Sequence, residues 1–178
     1  MSSTTNRFPL GQAETIAAKV IALLAPHCER IDVAGSVRRK RLTIGDIEIV
    51  CIPKPYQAEP LFASGLATVV NHWPKIIGGL PCKYTKRELP EGINLDLFMV
   101  ERNNFGLQLA IRTGSAAWSH QVLAKGWVRA GFHSKDGLLR RWDNTGGSFG
   151  SVVPTPTERV LFDLIELPWT PPEQREVS

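Results

Sequence analysis

The sequence has little that would place the chain in a membrane or in a disulfide-stabilised scaffold. It contains no apolar run of membrane-spanning length, and the segment Met1–Phe8 lacks the apolar core of a signal peptide. Its three cysteines, Cys28, Cys51 and Cys82, are scattered without a CxxC spacing, which indicates reduced thiols rather than a disulfide framework. We therefore expect a protein without a membrane partner that works in the cytoplasm or wherever the host genome lies.

The sequence also lacks the signs of a zinc site or a repeat architecture. Its four histidines form no ligand pattern with the cysteines, and it carries no internal repeat or low-complexity tract. The remaining composition is typical of a globular protein of 178 residues, with 43% apolar and 21% charged residues. A net charge of +4 is compatible with an anionic partner and says nothing more.

Hydrophobic periodicity and turn signals predict an α+β fold with a mixed β-sheet and flanking helices. The expected elements of the first half are a helix at Pro9–His27, strands at Ile31–Ala34 and Ile47–Ile52, a helix at Glu59–Trp73, and a meander at Ile76-Ile77, Cys82–Thr85 and Ile93–Val100. The second half predicts helices at Phe105–Arg112 and Ser115–Ala124, a hairpin within Phe132–Arg141, a Gly/Ser-rich loop at Asp143–Ser151, and a helix at Thr157–Ile165 capped by Thr155 or Thr157. Because the pattern changes near Glu101–Asn104, we place a mixed-sheet domain at residues 1–103 and a small, mostly helical lobe with a hairpin at 104–178.

Basic clusters and large aromatic residues are each most simply interpreted as structural. The basic clusters are Arg38–Arg41, Lys83 with Lys86 and Arg87, and Arg140 with Arg141, and each taken singly is expected to be solvated surface. The aromatic residues Phe105, Trp118, Trp127 and Trp142 are expected in the core, because large aromatics dominate core burial. His120 is expected at the surface.

The run from Gly35 to Glu48 combines a phosphate-binding pattern with a pair of carboxylates. A strand that ends in Gly35-Ser36 lets the backbone approach a phosphate closely, and the following helix offers unpaired N–H groups. The Ser36 hydroxyl adds a donor, and Arg39 can bind phosphate oxygens in a fork. Asp46 and Glu48 lie two residues apart on a predicted strand, so both carboxylates point to one side and can share a metal ion.

Asp96 is a third candidate ligand, because it lies in the otherwise apolar strand Ile93–Val100. A buried charge of this kind costs several kcal/mol, on the order of its desolvation penalty, unless it has a partner. A metal shared with Asp46 and Glu48 would be one such partner. A basic residue such as Arg112 or Lys83 would serve equally well.

Each of these signals alone has a simpler explanation. Gly35-Ser36 is a common turn, an Asp-x-Glu pair is most often a polar strand face, and Arg38–Arg41 is most often surface. Their fixed order, followed by an acidic residue in a later apolar strand, favours a joint role in binding metal and phosphate.

In these residues the chain resembles the polymerase beta-like nucleotidyltransferases, and specifically the DNA polymerase X family. The pattern stands here as Gly35-Ser36-Val37-Arg38-Arg39, Gly45-Asp46-Ile47-Glu48 and Asp96, with Glu48 in place of the commoner second aspartate. Thr113-Gly114-Ser115 looks like the turn where the palm of that family meets its nucleotide-contacting lobe. The segment Glu158–Glu176, with Leu167-Pro168-Trp169, is similar to the end of family members.

The resemblance implies a minimal form consisting of a palm and a terminal lobe. It implies an enzyme, a DNA-directed DNA polymerase that transfers a nucleotide from a nucleoside triphosphate to a primer 3′-hydroxyl, releases pyrophosphate, and fills gaps in repair. Two Mg²⁺ ions, with Mn²⁺ as a substitute, would be held by the catalytic carboxylates Asp46, Glu48 and Asp96. The implied nucleotide-binding residues are Gly35, Ser36, Arg39, Gly45, Thr113, Gly114 and Ser115. The implied nucleic-acid-binding residues are Arg38, Lys40, Arg41, Arg112, His120 and Lys125. The expected partners are a primer-template or gapped DNA and a nucleoside triphosphate, bound by a monomer.

Three other functions use overlapping features. Template-independent or RNA-directed nucleotidyl transfer would use the same carboxylates on a different acceptor. A small-molecule nucleotidyltransferase would share the carboxylates but not the similarity of the second lobe. A catalytically inactive nucleic-acid-binding module would not need all three acidic residues.

Overall fold

The computed structural model describes residues 7–54, 65–142 and 150–177. The chain forms two compact units, Met1–Val100 and Glu101–Ser178. The α+β fold expected from the sequence is confirmed.

The first unit is built on a mixed sheet. Its elements are β1 (Phe8–Pro9), α1 (Leu10–Leu24), a 3₁₀ turn (Ala25–His27), β2 (Cys28–Val33), α2 (Gly35–Arg38), β3 (Thr43–Ile44), β4 (Asp46–Pro53), α3 (Gly65–Val70), β5 (Lys75–Ile77), β6 (Tyr84–Glu88) and β7 (Asn94–Met99). Five strands pair in the order β2-β4-β7-β6-β5, and β1 pairs separately with β3. Strands β4 and β7 run parallel, whereas the other neighbours in the sheet are antiparallel.

Alternation along the two central strands gives the sheet one apolar face. On β4 and β7 the alternate residues Ile47, Ile49, Leu95 and Leu97 are fully buried, and they join one core with α1 and α3. The members of α1 in this core follow helical spacing, and they are Ala13, Ile16, Ala17, Val20 and Leu24. The residues between the buried ones on β4 and β7 therefore point to the opposite face.

The second unit combines short helices with a small sheet. Its elements are α4 (Phe105–Thr113), α5 (Ala116–Trp118), a π-helical stretch (Ser119–Ala124), α6 (Lys125–Arg129), β8 (Phe132–Lys135), β9 (Leu138–Arg141), β10 (Val152–Val153), α7 (Glu158–Leu164) and a 3₁₀ turn (Pro172–Gln174). The predicted hairpin is present, and its two turn residues Asp136 and Gly137 both have positive φ, as a type I′ turn requires. Strand β10 adds to β9 to give a three-stranded sheet, an addition that the sequence analysis did not expect.

Helix α7 begins where one of the two expected caps is placed. The hydroxyl of Thr157 accepts a hydrogen bond from the N–H of Val160 at 3.3 Å, a contribution of about 1 kcal/mol to helix stability. Thr155 instead bonds Asn103 through its backbone and side chain.

Arg175 organises the end of the second unit and was not singled out in the sequence. Its side chain is fully buried, its Nε donates to the carbonyl of Thr170 at 2.8 Å, and its two terminal nitrogens bind the carboxylate of Glu158. The guanidinium carbon also lies within 6 Å of three aromatic ring centroids. These rings are Trp118 at 5.5 Å, Phe162 at 5.3 Å and Trp169 at 5.8 Å.

The surroundings of two residues differ from what the sequence predicted. Arg87 is 3% exposed rather than solvated, because its guanidinium is held by hydrogen bonds to Asn71, Trp73, Gly78 and Thr85. Trp142 is 63% exposed rather than in the core, with its ring edge against His133.

Of the helix expected at Glu59–Trp73, the part from residue 65 onward is described and forms α3; residues 59–64, like most of the expected loop at 143–151, lie outside the described residues. No helix in the described part of the chain is long and apolar enough to cross a membrane.

Candidate active site

Three carboxylates lie on the sheet face opposite the one that packs against α1 and α3. Asp46 and Glu48 are alternate residues of β4, so their side chains point the same way. Asp96 lies on β7 and is the direct parallel partner of Glu48. The register between β4 and β7 therefore places Asp96 beside the two carboxylates of β4, so that the three lie on one face of the sheet.

Asp96 is held by two donors from the neighbouring strand β6. The hydroxyl of Tyr84 donates to its Oδ1, and the ammonium of Lys86 contacts its Oδ2 at 3.2 Å. Of the two kinds of partner that the sequence left open, a metal ion or a basic residue, the structure shows a basic residue, and it is Lys86 and not Arg112 or Lys83. The reason is the position of the strand, which spans Tyr84–Glu88 instead of the expected Cys82–Thr85 and so sets Lys86 directly opposite Asp96.

Asp46 is electrostatically coupled to this group. Burial raises the pKa of its carboxyl group, and the negative charge of Asp96 and a hydrogen bond with Asp96 raise it further. The positive charges of Lys86 and Arg39 lower it in part. Asp46 and Asp96 are therefore close enough to repel each other when both are ionised.

The turn at Gly35 packs directly against Glu48. Gly35 begins α2 with φ +60°, a conformation that glycine adopts without strain. A β-carbon at this position would lie 1.8 Å from Oε2 of Glu48 and 3.0 Å from its Cβ. The sequence predicted that the backbone approaches a ligand closely at this glycine. In the structure the absence of a side chain at Gly35 also leaves room for the Glu48 side chain.

The remaining residues of the predicted phosphate cradle differ in their surroundings. Ser36 is half-buried in α2, and Arg39, which closes α2, carries a charge that acts on Asp46. Helix α2 is only four residues long, so its few aligned peptide dipoles contribute little to the binding of an anion. Gly45 directly precedes β4, and a β-carbon there would meet nothing within 4 Å, so no close approach within the protein requires glycine at this position.

The basic residues beside α2 are at or near the surface. Arg38 is half-buried, whereas Lys40 and Arg41 are exposed. The ammonium of Lys40 binds the carboxylate of Glu14 on α1. An exposed ion pair of this kind contributes little to stability and leaves the lysine accessible.

The donor set suits a hard divalent cation, although the side chains are not arranged around one. Carboxylate oxygens are the ligands that Mg²⁺ prefers, and the repulsion between Asp46 and Asp96 is of the kind a cation relieves. Across the described ranges, however, no three His, Cys, Asp or Glu side chains form a group that could hold a metal ion as they stand. The contacts described above explain this, because both oxygens of Asp96 are engaged by β6 and the Glu48 carboxylate lies against Gly35.

In the second unit, the turn Thr113-Gly114-Ser115 is tied into its own surroundings. Thr113 is fully buried, and a β-carbon on Gly114 would lie 2.3 Å from the ring of Trp118. Ser115 accepts a hydrogen bond from the N–H of Trp118 at 3.1 Å, and its own N–H donates to the carbonyl of Arg175 at 3.0 Å. Much of what this motif specifies is therefore the local fold.

The predicted nucleic-acid-binding residues of this unit have different exposures. Arg112 is half-buried near the end of α4, whereas His120 and Lys125 are exposed on consecutive helical segments. His120 at the surface agrees with the sequence analysis.

Two residues that contact the carboxylates were missed in the sequence, namely Tyr84 and Lys86. Their alternation with the buried Thr85 and Arg87 was the available signal, because period-2 spacing places Tyr84 and Lys86 on the same face. Ending the expected strand at Thr85 concealed it.

A scan against protein-family models finds no match for this sequence, and a search of curated proteins finds no relative. The case for a function therefore depends on the site and on the motif resemblance.

Proposed function

We propose that this chain is a nucleotidyltransferase of the DNA polymerase X type, a DNA-directed DNA polymerase that extends a primer on gapped or primed DNA. The observation that carries the proposal is the pairing of Glu48 with Asp96 on adjacent parallel strands, with Asp46 two residues from Glu48 on the same face. The coupling of Asp46 to Asp96 supports the same conclusion. The sequence resemblance supplies the choice of substrates.

In the proposed reaction the primer 3′-oxygen forms a bond to the α-phosphorus of the incoming nucleotide. The bond from that phosphorus to the bridging oxygen breaks, pyrophosphate leaves with its electron pair, and the hydroxyl proton passes to solvent. Bound magnesium would lower the pKa of the attacking hydroxyl and neutralise charge on the phosphates. Asp46 and Glu48 would hold two ions, and Asp96 would hold the one on the primer side.

The other residues of the first unit would bind and orient the triphosphate. The hydroxyl of Ser36 and the guanidinium of Arg39 are suited to phosphate oxygens, because a charged fork binds them in pairs. Gly35 and Gly45 would contribute backbone N–H groups without a side chain in the way. The charge of Arg39, which already acts on Asp46, supports a place for phosphate beside the carboxylates.

The proposed contacts to sugar, base and DNA are less specific. Thr113, Gly114 and Ser115 would border the sugar and base through their backbone, because Gly114 has no side chain and those of Thr113 and Ser115 are buried or hydrogen-bonded within the unit. The proposed DNA contacts are Arg38, Lys40, Arg41, Arg112, His120 and Lys125. If several of them bind phosphates, DNA affinity will fall steeply as salt increases.

Primer extension with purified protein tests the proposal. The substrates are gapped DNA, primed single-stranded DNA, unprimed DNA and primed RNA, each with every deoxynucleotide or ribonucleotide and with Mg²⁺ or Mn²⁺. Asp46→Asn and Asp96→Asn should reduce extension at least about a thousandfold, on the order of removing a metal ligand that acts in the transition state. Asp163→Asn is the matched control, because Asp163 is an exposed carboxylate in the second unit.

Each other function predicts its own result. Extension without a template, or on RNA alone, would assign the chain to template-independent or RNA-directed transfer. Binding of DNA without extension under any metal would indicate an inactive binding module, an outcome for which the engagement of both Asp96 oxygens gives a specific reason. Wild-type activity in Asp46→Asn or Asp96→Asn would refute the site assignment.

A further inference from the structure

A row of three charged residues crosses the centre of the sheet. Glu48 on β4, Asp96 on β7 and Lys86 on β6 are direct cross-strand partners. Strands β6 and β7 are antiparallel, and directly opposed side chains on one face of such a pair have β-carbons about 4.5–5.5 Å apart, which places Lys86 within reach of Asp96. The ammonium of Lys86 therefore lies in the row of proposed metal ligands and not beside it.

The two donors to Asp96 differ in what a cation would require of them. A carboxylate oxygen has two acceptor sites, so Oδ1 can keep the neutral hydroxyl of Tyr84 while it faces a metal ion. The ammonium of Lys86 on Oδ2 carries a full positive charge at 3.2 Å. A divalent cation on the same carboxylate would repel it strongly, because the energy of two like charges rises as their separation shrinks and water is excluded.

Burial explains why a lysine is needed when no metal is bound. The side chain of Asp96 is 10% exposed and that of Lys86 is 24% exposed. An ionised carboxylate with so little contact with water requires a partner. Lys86 supplies the compensating charge, and its long flexible stem allows the ammonium to leave without moving the strand.

We propose that Lys86 is a built-in counterion that competes with the divalent cation for Asp96. The inference rests on the proposed function, since it concerns the same metal site. The Lys86 ammonium would leave Oδ2 when Asp96 takes a divalent cation, and it would stay when Asp46 and Glu48 alone hold one. Lys86 is thus a positioning residue that stabilises the metal-free site and weakens the binding of one of two ions.

Metal binding and metal-free stability test this without relying on activity. The probe is MnCl₂, followed by titration calorimetry, together with melting temperatures in EDTA. Lys86→Met should tighten the binding of one Mn²⁺ about five- to tenfold, because a charge at ion-pair distance no longer competes. In EDTA the same variant should melt about 2–4 °C lower, the shift expected at this chain length when one moderate interaction is lost. Saturating Mn²⁺ should remove that difference.

Matched variants isolate the charge. Lys86→Arg keeps the charge and should bind Mn²⁺ nearly as the wild type does. Lys83→Met removes an exposed lysine just before β6 and makes the same change in net charge, so it should alter neither quantity. Tyr84→Phe removes the neutral donor and should leave Mn²⁺ affinity nearly unchanged.

The outcomes separate the inference from the function on which it rests. Equal or weaker Mn²⁺ binding by Lys86→Met, with binding abolished in Asp46→Asn, would overturn the role of Lys86 and leave the metal site standing. No Mn²⁺ binding by any variant would overturn both. If Lys86→Met does not fold, lysine ¹³Cε spectra of the wild type, assigned through Lys86→Arg, decide the matter. Addition of Mg²⁺ should then shift the Lys86 resonance and not that of Lys83. An unchanged Lys86 resonance would refute the displacement of its ammonium from Asp96.

Discussion

The carboxylate of Glu48 lies where a side chain on Gly35 would begin, since a β-carbon at position 35 would stand 1.8 Å from Oε2 of Glu48. The start of α2 and the middle of β4 are therefore fitted to each other around one proposed ligand. Gly35 is therefore required for two reasons, its positive φ and the space that the Glu48 carboxylate occupies.

Replacing Gly35 by alanine should therefore impair metal binding as well as stability. The positive φ costs about 1–2 kcal/mol for a residue with a β-carbon, and the added methyl group displaces the Glu48 carboxylate. Gly92→Ala is the matched control, because Gly92 has φ +79° and a β-carbon there would meet nothing within 4 Å. We expect a larger loss of stability in Gly35→Ala than in Gly92→Ala, because only the first also displaces a side chain, and we expect Mn²⁺ affinity and primer extension to fall in Gly35→Ala alone. Equal Mn²⁺ affinities would refute the fitted arrangement.

Asp46→Asn should stabilise the metal-free protein near neutral pH. The folded-state pKa of Asp46 is raised by burial and by Asp96, so the folded state favours its protonated form. For a raised pKa, the stabilisation present below the unfolded-state value is lost as the pH rises through the folded-state value. Asparagine removes this loss. Melting temperatures in EDTA should therefore exceed those of the wild type at pH 7 and converge with them at acidic pH.

Arg175→Met should destabilise the second unit by about 3–5 kcal/mol, the range for removing one partner of a buried ion pair. The Glu158 carboxylate would be left buried without its guanidinium partner, and the rings of Trp118, Phe162 and Trp169 would lose their contact with a cation. Four of the five tryptophans lie in this unit, so denaturation followed by tryptophan fluorescence measures the effect. Arg159→Met, at an exposed position of α7, should change stability by less than about 0.5 kcal/mol. A comparable effect in both variants would contradict the assigned role of Arg175.

Thiol modification should distinguish the cysteines. Hydrogen bonding with Cys28, together with burial, raises the pKa of the Cys51 thiol, so this thiol stays protonated and out of solvent. Cys82 is partly exposed. Iodoacetamide at pH 8 should therefore modify Cys82 in the folded protein and reach Cys51 after unfolding in guanidinium, as peptide mass spectrometry would record. Early alkylation of Cys51 would mean that this part of the core opens readily.

Local pattern predicted most of the elements because period and turn chemistry are properties of short segments. The helix before the first strand, the run around Asp46 and the Asp136-Gly137 turn are cases where neighbouring residues alone specify the conformation. The predicted end of β6 was wrong, because Lys86 and Arg87 look like two equivalent surface residues in the sequence and the strand was therefore ended at Thr85. In the structure Lys86 contacts the Asp96 carboxylate, whereas Arg87 is buried and its guanidinium donates four hydrogen bonds.

The sequence by itself determined that Asp46 and Glu48 share a face, that Asp96 needs a partner, and that Gly35 begins a turn, because strand period, desolvation and backbone freedom act locally. Only the tertiary structure decided which partner Asp96 has, since that depends on the register between β6 and β7. Register arises from the pairing of whole strands and from the core behind them. The same global packing buries Arg175 against Glu158, seventeen residues away in the chain, and ties it to the Ser115 turn.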